Sequence, residues 1–243
     1  MLKDKDNSRK IAVIMPTRSA GGIRNSGAAA AAASWFATTS GLSDFYYGMD
    51  DDDLANYEVP SYAKQLVNPR VRLVPKLNLM AAQLQDQYDY LLFIGDDHRF
   101  VTPLWEEAFV RDGDALKGVA ILYGNDLLQR QSLPTAVFIG TAITKALGYM
   151  APPCIQHMYA DNFWKDLGEA LSIIKYYPDI IIEHLHFSNG KAQVDAQYRE
   201  VAALMGSDEA AYRQYLAKDF ATDVEKVRAV CALQSSGAGS TDV

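Results

Sequence analysis

Tyr90-Leu91-Leu92-Phe93-Ile94-Gly95-Asp96-Asp97-His98 is an apolar run of strand length that ends abruptly in two carboxylates and an imidazole. Neither face of a period-two alternation from Tyr90 to Ile94 carries a charge, so the segment reads as a strand buried on both sides, as inner strands of parallel sheets are. In such sheets ligands sit in the crevice outside the carboxyl ends of the strands. The polar cluster that follows Ile94 therefore falls where chemistry is expected.

Upstream, Ile11 to Met15 reads as a first buried strand that stops at Pro16, which has no N–H for a continuing ladder, and a loop from Thr17 to Gly22 follows. Gly27 to Ala33 is rich in the strongest helix former and leads to Trp35 and Phe36, which predicts a helix packed on the sheet, with no chemistry assigned to its alanines. Asp44 to Met49 reads as a second strand, Val71 to Val74 as a third and Leu77 to Gln85 as a helix. Downstream, Ala115 to Tyr123 and Thr135 to Ile139 read as strands, Thr141 to Gly148 as a helix, and Pro152-Pro153 as a break. After a strand at Ile180 to Ile182 the chain turns helical, from Ala192 to Met205 and from Glu209 to Lys218, and Ser235 to Val243 is a Gly/Ser-rich tail expected to be disordered. Short apolar runs alternating with helical stretches define the α/β class: a mostly parallel sheet flanked by helices. The expected organisation is one domain over residues 1–232, with a donor-side half at about 10–100, a second half at about 101–190, a helical segment at about 191–232, and a tail at 233–243.

The 243 residues, 49% of them hydrophobic, suffice for one such core. The longest apolar runs fall far short of the roughly 20 residues a spanning helix needs. Met1 to Lys10 is charged and lacks the apolar stretch of a secretory signal, so a cytoplasmic location is expected. Two cysteines, Cys154 and Cys231, suggest neither a disulfide framework nor a cysteine zinc site. A formal charge of -7 argues against a generally basic nucleic-acid-binding surface, and leaves a local basic patch as the means of meeting DNA.

Adjacent carboxylates at a strand end repel each other unless positive charge lies beside them, and a hard divalent ion is the usual answer. The alternative for Asp96-Asp97 is a solvated turn. Ile181-Ile182-Glu183-His184-Leu185-His186 places two imidazoles on one face, because side chains two apart in a strand point the same way. With only four histidines in the chain, His98 and this pair fit a metal site closed from two segments; the alternative is a core histidine bonded to a carboxylate beside an exposed one. Asp50-Asp51-Asp52-Asp53 can accept hydrogen bonds from base N–H and ribose hydroxyls, or be a solvated charge run. Arg18 and Arg24 can each pair with phosphate through two parallel hydrogen bonds, and Lys76 can do so as a point cation. Asp161 suits the cap of a helix beginning near Phe163.

The order of these motifs, Pro16-Thr17-Arg18, Asp50 to Asp53, Lys76 with Asn78, Asp96-Asp97-His98 and the late histidines, resembles the GT-A glycosyltransferases over roughly Lys10 to Phe187. In that family a DXD signature at a strand end binds metal and nucleotide diphosphate. The resemblance implies a Rossmann-like GT-A fold, a divalent metal (Mn2+ or Mg2+) held by Asp97, His98 and His186, with His184 as second choice to His186, and nucleotide-sugar contacts from Pro16, Thr17, Arg18, Asp50, Asp51, Lys76, Asn78 and Asp96. A histidine in the third place departs from the usual acidic residue and leaves open which of Asp96, Asp97 and His98 ligates the metal. The resemblance further implies that Asp161 is the catalytic base of an inverting transfer, with Trp164 on the acceptor side; in a retaining enzyme Asp161 would position the sugar.

The compact chain and its Asp-Asp-His motif look most like small virus-encoded (bacteriophage) glycosyltransferases. The implied reaction moves a sugar from a UDP-sugar to an acceptor hydroxyl, with 5-hydroxymethylpyrimidine in viral DNA as the first acceptor, reached by groove insertion or base flipping, and with host cytoplasm as its place. A protein or glycan acceptor is the alternative. The rival readings are a nucleotidyltransferase, for which Ser19-Ala20-Gly21-Gly22 would serve as phosphate loop, a non-catalytic nucleotide-sugar-binding or virion protein, and a metal-dependent hydrolase.

Overall fold

The computed structural model describes residues 10–19, 25–192 and 196–236; Arg24, the 20–22 part of the expected phosphate loop, and the tail beyond Ser236 lie outside the described residues. The chain runs β1 (Ile11–Pro16), α1 (Asn25–Thr38), β2 (Ser43–Asp50), β3 (Lys64–Asn68), α2 (Leu73–Leu84), β4 (Tyr90–Phe93), β5 (His98–Phe100), α3 (Trp105–Ala115), β6 (Ile121–Asn125), β7 (Val137–Gly140), α4 (Thr141–Leu147), α5 (Ala160–Leu171), β8 (Ile174–His184), α6 (Ala196–Lys218) and α7 (Phe220–Ser236). Among the described residues no helix is long and apolar enough to cross a membrane.

The strands form one sheet in the order β3-β2-β1-β4-β7-β6-β8-β5. The run β3-β2-β1-β4 is parallel, as the βαβ rhythm of the first half requires. Beyond it the sheet is mixed: β7 runs antiparallel to both β4 and β6, β6 pairs parallel with β8, and β5 pairs antiparallel with β8. The α/β architecture stands; the continuous parallel run lies in the donor-side half, and β6–β8 is the parallel pair of the second half.

Both faces of the central strands are covered, and the alternation along β1 shows how. Ile11, Val13 and Met15 pack with Ala28, Ala31 and Ala32 of α1 and Phe109 of α3. Ala12 and Ile14 point the other way, toward Val74, Leu77 and Met80 of α2. In β4, Leu91 and Phe93 join the α2 side and Leu92 and Ile94 the α1 side. Alanines in α1 let its backbone approach the sheet closely, and Trp35 closes that layer with its indole N–H donating to Ser43 Oγ at 2.8 Å.

Several expected elements shift. Val71 to Val74 is not a strand: Val74 is fully buried within the first turn of α2. Pro75 is tolerated there because first-turn N–H groups lack intrahelical partners in any case. The third strand is instead Lys64–Asn68, a largely exposed sheet edge whose adjacent Leu66 and Val67 give no alternating apolar signal. Strand character expected from Ala115 begins only at Ile121, after α3 ends. β8 starts well before Ile180 and carries a bulge, pairing Gly124 with Tyr177 but Asn125 with Ile181, with Pro178 in the extra stretch. The two expected late helices are one, α6, and α7 follows it, taking in Ser235 and Ser236 of the expected tail.

The turn from β7 into α4 depends on Gly140. Its N–H bonds Ala120 O at 2.9 Å, and a β-carbon there would overlap the Gly118 carbonyl oxygen, a backbone atom that no rotamer change can move. Gly140→Ala is expected to destabilise the protein by about 1–3 kcal/mol, the usual range for overpacking. A urea melt checks this, and an unchanged midpoint would show that the β6–β7 region shifts freely.

Candidate functional site

Because β1, β2 and β4 are parallel and in register, with Pro16 beside Gly48 and Ile14 beside Phe93, their carboxyl ends open on one edge of the sheet. There Pro16, Thr17, Arg18, Asp50, Lys76, Asp96, Asp97, His98, Asp161, His184 and His186 line one cleft of about 1000 Å³. Asp51 and Asn78 are not among its lining residues.

On the donor side the carboxylates are met by the chain's own cations and hydroxyls. Thr17 Oγ donates to Asp96 Oδ2 at 2.8 Å and lies 3.0 Å from the Tyr57 hydroxyl. Arg18 donates to Asp50 Oδ2 at 2.7 Å and forks onto both oxygens of Asp52 at 2.7 and 3.1 Å. Those contacts, Asp52 foremost, hold the guanidinium above its ordinary pKa. The second oxygen of buried Asp50 accepts from Lys76 Nζ, so Lys76 neutralises a carboxylate inside the protein rather than reaching for phosphate as a free point charge. Buried Asp53 accepts from Ser19 N at 2.7 Å and from Ser19 Oγ at 2.6 Å. The aspartate run is thus neither one ligand set nor a uniformly solvated run, since Asp51 and Asp52 are exposed while Asp50 and Asp53 are buried. Asn78, expected beside the nucleotide, accepts from the Met150 and Ala151 amides and donates to Ala151 O, which ties α2 to the connection after α4.

The candidate metal site arises from β5–β8 pairing, whose register sets His98 directly opposite His184. The two imidazoles stack with centroids 4.3 Å apart and planes 19° from parallel. Asp97 bridges them, Oδ1 lying 3.2 Å from His98 Nδ1 and Oδ2 3.3 Å from His184 Nε2. One ligand atom from each of Asp97, His98 and His184 lies within 4.8 Å of the others. Gly95 keeps this corner open: a β-carbon there would sit 2.5 Å from Asp97 Oδ1 and 3.2 Å from His98 Nδ1.

Burial alone would push the Asp97 carboxyl up, but hydrogen bonds from His184 and then His98 hold it well below the usual carboxylate range. Burial, then the neighbouring His184, pushes His98 down, which keeps its imidazole neutral. Burial pulls His184 down, but the hydrogen bond to Asp97 together with the charges of Asp97, Asp126 and Asp161 raises it above the ordinary imidazole value. His98 Nε2 and His184 Nδ1 are both buried with no hydrogen-bond partner. Each is the other nitrogen of a ring whose first nitrogen, His98 Nδ1 or His184 Nε2, faces the Asp97 carboxylate; one carboxylate and two imidazoles so placed form a donor set that fits a divalent transition metal.

His186, the first-choice late ligand, sits just past the end of β8. Its ring is 5.2 Å from that of His184, but its Nδ1 lies 2.7 Å from Ser188 Oγ and accepts the Ser188 N–H at 3.2 Å, capping a one-turn helix. The cluster that the fold assembles therefore contains the second choice, His184.

Across the cleft, Asp161 stands in the first turn of α5, whose N-cap is Tyr159, so Asp161 is not the cap residue. Its Oδ1 accepts the Asn162 N–H at 3.0 Å, and burial pushes its carboxyl above the ordinary value. Trp164, expected as an acceptor-side surface, is fully buried, packs on Phe93 at 5.6 Å and donates to Met150 O at 2.8 Å.

Two carboxylates that the sequence reading passed over hold the second half of the cleft. Asp126 Oδ1 accepts from the Leu128, Gln129 and Arg130 amides at 2.9, 2.7 and 2.7 Å and Oδ2 from Thr135 Oγ, while its backbone carbonyl receives the His184 N–H. Asp208 of α6 binds the loop before α5 in the same manner. The aspartate directly after β6, ahead of a short polar loop, was a readable turn signal; Asp208, within a helix, carries none.

No family model and no curated protein matches the sequence. Among solved structures, the fold is similar to the mannosyltransferase PcManGT from Pyrobaculum calidifontis, described in complex with GDP-Man and Mn2+, at 9% identity and a TM-score of 0.51, covering 98% of this chain and 78% of that one. It is also similar to S. aureus TarS at 14% identity and a TM-score of 0.50, covering 71% of this chain; the match spans only 36% of the TarS chain. These likenesses, together with the curled mixed sheet and its cleft at the strand ends, show that the chain has the fold of the GT-A glycosyltransferases.

Proposed function

We propose that the protein is a metal-dependent glycosyltransferase that moves a sugar from a nucleoside-diphosphate sugar to an acceptor hydroxyl. The observation that carries this reading is the Asp97, His98 and His184 cluster, whose ligand atoms lie within 4.8 Å of one another, at the carboxyl end of the parallel strands. The nucleotide-sugar and Mn2+ in the PcManGT complex lend support by analogy of fold.

In this reading Asp97, His98 and His184 hold the cation, with His186 next to them. When bound, it supplies positive charge that stabilises the leaving diphosphate. Pro16, Thr17, Arg18 and Asp50 form the donor wall. Lys76 is taken up by buried Asp50, whereas Arg70 and Arg72 on the cleft rim make exposed ion pairs, with Asp52 at 3.9 Å and Glu200 at 2.9 Å, and are the cations that exchange those partners for phosphate oxygens. Asp161 accepts the acceptor's proton as the acceptor oxygen bonds the anomeric carbon and the bond from that carbon to the diphosphate oxygen breaks; its raised pKa makes it a stronger base. UDP is the expected nucleotide. Hydroxymethylpyrimidine in viral DNA, like the bacteriophage relationship, rests on the sequence resemblance alone, with a protein or glycan hydroxyl as the other acceptor.

Calorimetric titration with UDP, GDP, CDP and ADP, with manganese and with chelator, tests the donor site. One diphosphate is expected to bind selectively, and only with manganese. Binding that is equal in chelator, or absent for every diphosphate, rejects the reading.

A further inference from the structure

Helix α6 lies outside the donor half of the sheet, yet one of its carboxylates is almost wholly buried at the cleft. Asp208 is 2% exposed. Its Oδ1 accepts the Gln156 N–H at 3.0 Å, and its Oδ2 accepts the N–H groups of His157 and Met158, both at 2.8 Å. Three consecutive amides converge on one ionised group, an arrangement in which each hydrogen bond is charge-assisted.

One turn further along the same face of α6, Tyr212 stacks on Tyr159 with centroids 5.5 Å apart and planes 24° from parallel, and its hydroxyl donates to Asp166 of α5 at 2.6 Å. Tyr159 needs such support, since its φ of 71° lies in the left-handed region that aromatic residues rarely adopt. From the opposite side Val74 of α2 donates its N–H to Gln156 O at 3.0 Å. Residues 156–159 are therefore gripped from two helices. This loop lines the cleft with His157, Met158 and Tyr159 and delivers the chain into the first turn of α5, where Asp161 faces the cleft.

We propose that Asp208 is a positioning residue for sugar transfer: it clamps the loop at 156–158, supported by Tyr212 under Tyr159, and so fixes the direction from which the Asp161 carboxylate meets the acceptor. Helix α6 is then a working part of the active site rather than a C-terminal appendage. The inference rests on the reading of Asp161 as proton acceptor given above. A displacement of the reacting group by about 1 Å costs on the order of 10²-fold in rate, whereas the donor wall, built from β1, β2 and α2, does not depend on this clamp.

The test is Asp208→Asn in the full chain, whose amide cannot accept all three N–H groups without setting its own NH2 against one of them. Hydrogen exchange at residues 156–163 is expected to quicken by about tenfold or more, manganese-dependent turnover of UDP-glucose or GDP-mannose with water as acceptor to fall by roughly 10²-fold, and diphosphate affinity in manganese to stay within about twofold. Tyr215→Phe, which removes the α6–α7 hydrogen bond from Tyr215 to Asp223 but leaves the clamp intact, should leave turnover unchanged and so separates clamping from general loosening of α6. If Asp208→Asn does not fold, Tyr212→Leu keeps the carboxylate, removes the ring under Tyr159, and is expected to lower turnover about fivefold with nucleotide affinity retained. Quickened exchange with unchanged turnover, or a loss of turnover equalled by Tyr215→Phe, overturns the inference. Failure of the wild-type protein to bind any diphosphate strikes the glycosyltransferase reading instead.

Discussion

Asp97→Ala is expected to abolish manganese-dependent nucleotide binding and to lower sugar transfer by on the order of 10³-fold or more, since several kcal/mol of charge stabilisation at the leaving group disappear with the cation. Asp97 is the one carboxylate of its cluster and sets an oxygen toward each imidazole, at 3.2 Å from His98 and 3.3 Å from His184. Removing it leaves two neighbouring imidazoles and no anionic charge between them, a poor set for a hard or borderline dication. The fold should survive, because the β5–β8 pairing and the Asp97 backbone carbonyl, which accepts the Leu185 N–H at 2.9 Å, are untouched by the substitution. Metal content after dialysis and calorimetry with the preferred diphosphate read the result. Undiminished manganese-dependent binding in Asp97→Ala would refute the placement of the metal here.

Asp161→Asn is expected to reduce turnover by about 10²–10⁴-fold, the usual worth of a positioned general base, with diphosphate affinity unchanged. The amide is nearly isosteric but cannot take a proton, and α5 lies across the cleft from the strand ends that form the donor wall. A stability signature accompanies the loss. Burial raises the Asp161 pKa in the native state, so the native protein binds that proton more tightly than the unfolded chain does. The stability contributed by this linkage is complete below the unfolded value of about 3.9 and is lost as pH rises through the elevated native value. Asparagine has no such dependence, so Asp161→Asn should gain in stability relative to wild type between acid and neutral pH. Urea melts of the metal-free proteins at several pH values check the sign, and a gap that narrows in the other direction would mean that the carboxylate is stabilised, not strained, by its site. Full turnover in Asp161→Asn would remove it as the base and favour a retaining transfer in which it only positions the sugar.

Periodicity carried the sequence reading furthest where apolar runs were long and two-sided. β1, β2 and β4 emerge within one residue of their expected ends, because strands buried on both faces have no polar residue to blur them. Reading failed where burial was partial or a signal was shared. The exposed edge β3 has only the adjacent pair Leu66 and Val67 between polar residues, which shows no period-two alternation, whereas Val71 to Val74 has the composition of a strand but begins a helix whose face is set by contact with β1. Helix α7 falls within the helical segment expected at about 191–232, but its start at Phe220 was not resolved from the helix before it.

The site divides along the same line. The sequence alone determined the α/β class and the position of the chemistry, since a charge-free strand running into Asp96-Asp97-His98 can place those groups only at its carboxyl end. The two-residue repeat of a strand also led to the expectation that His184 and His186 share a strand face, but β8 ends at His184. Which of them joins the cluster was decided by tertiary structure: the β5–β8 register sets His184 against His98, and the chain leaves the strand there, turning His186 into the cap of the next turn. The partners of Asp50, the commitment of Asn78 and the clamp at Asp208 were likewise beyond sequence, for each joins residues 26, 72 to 73 and 50 to 52 positions apart. Local patterns report which way a side chain points; what it meets there is fixed by strand register and helix packing, which depend on the whole chain.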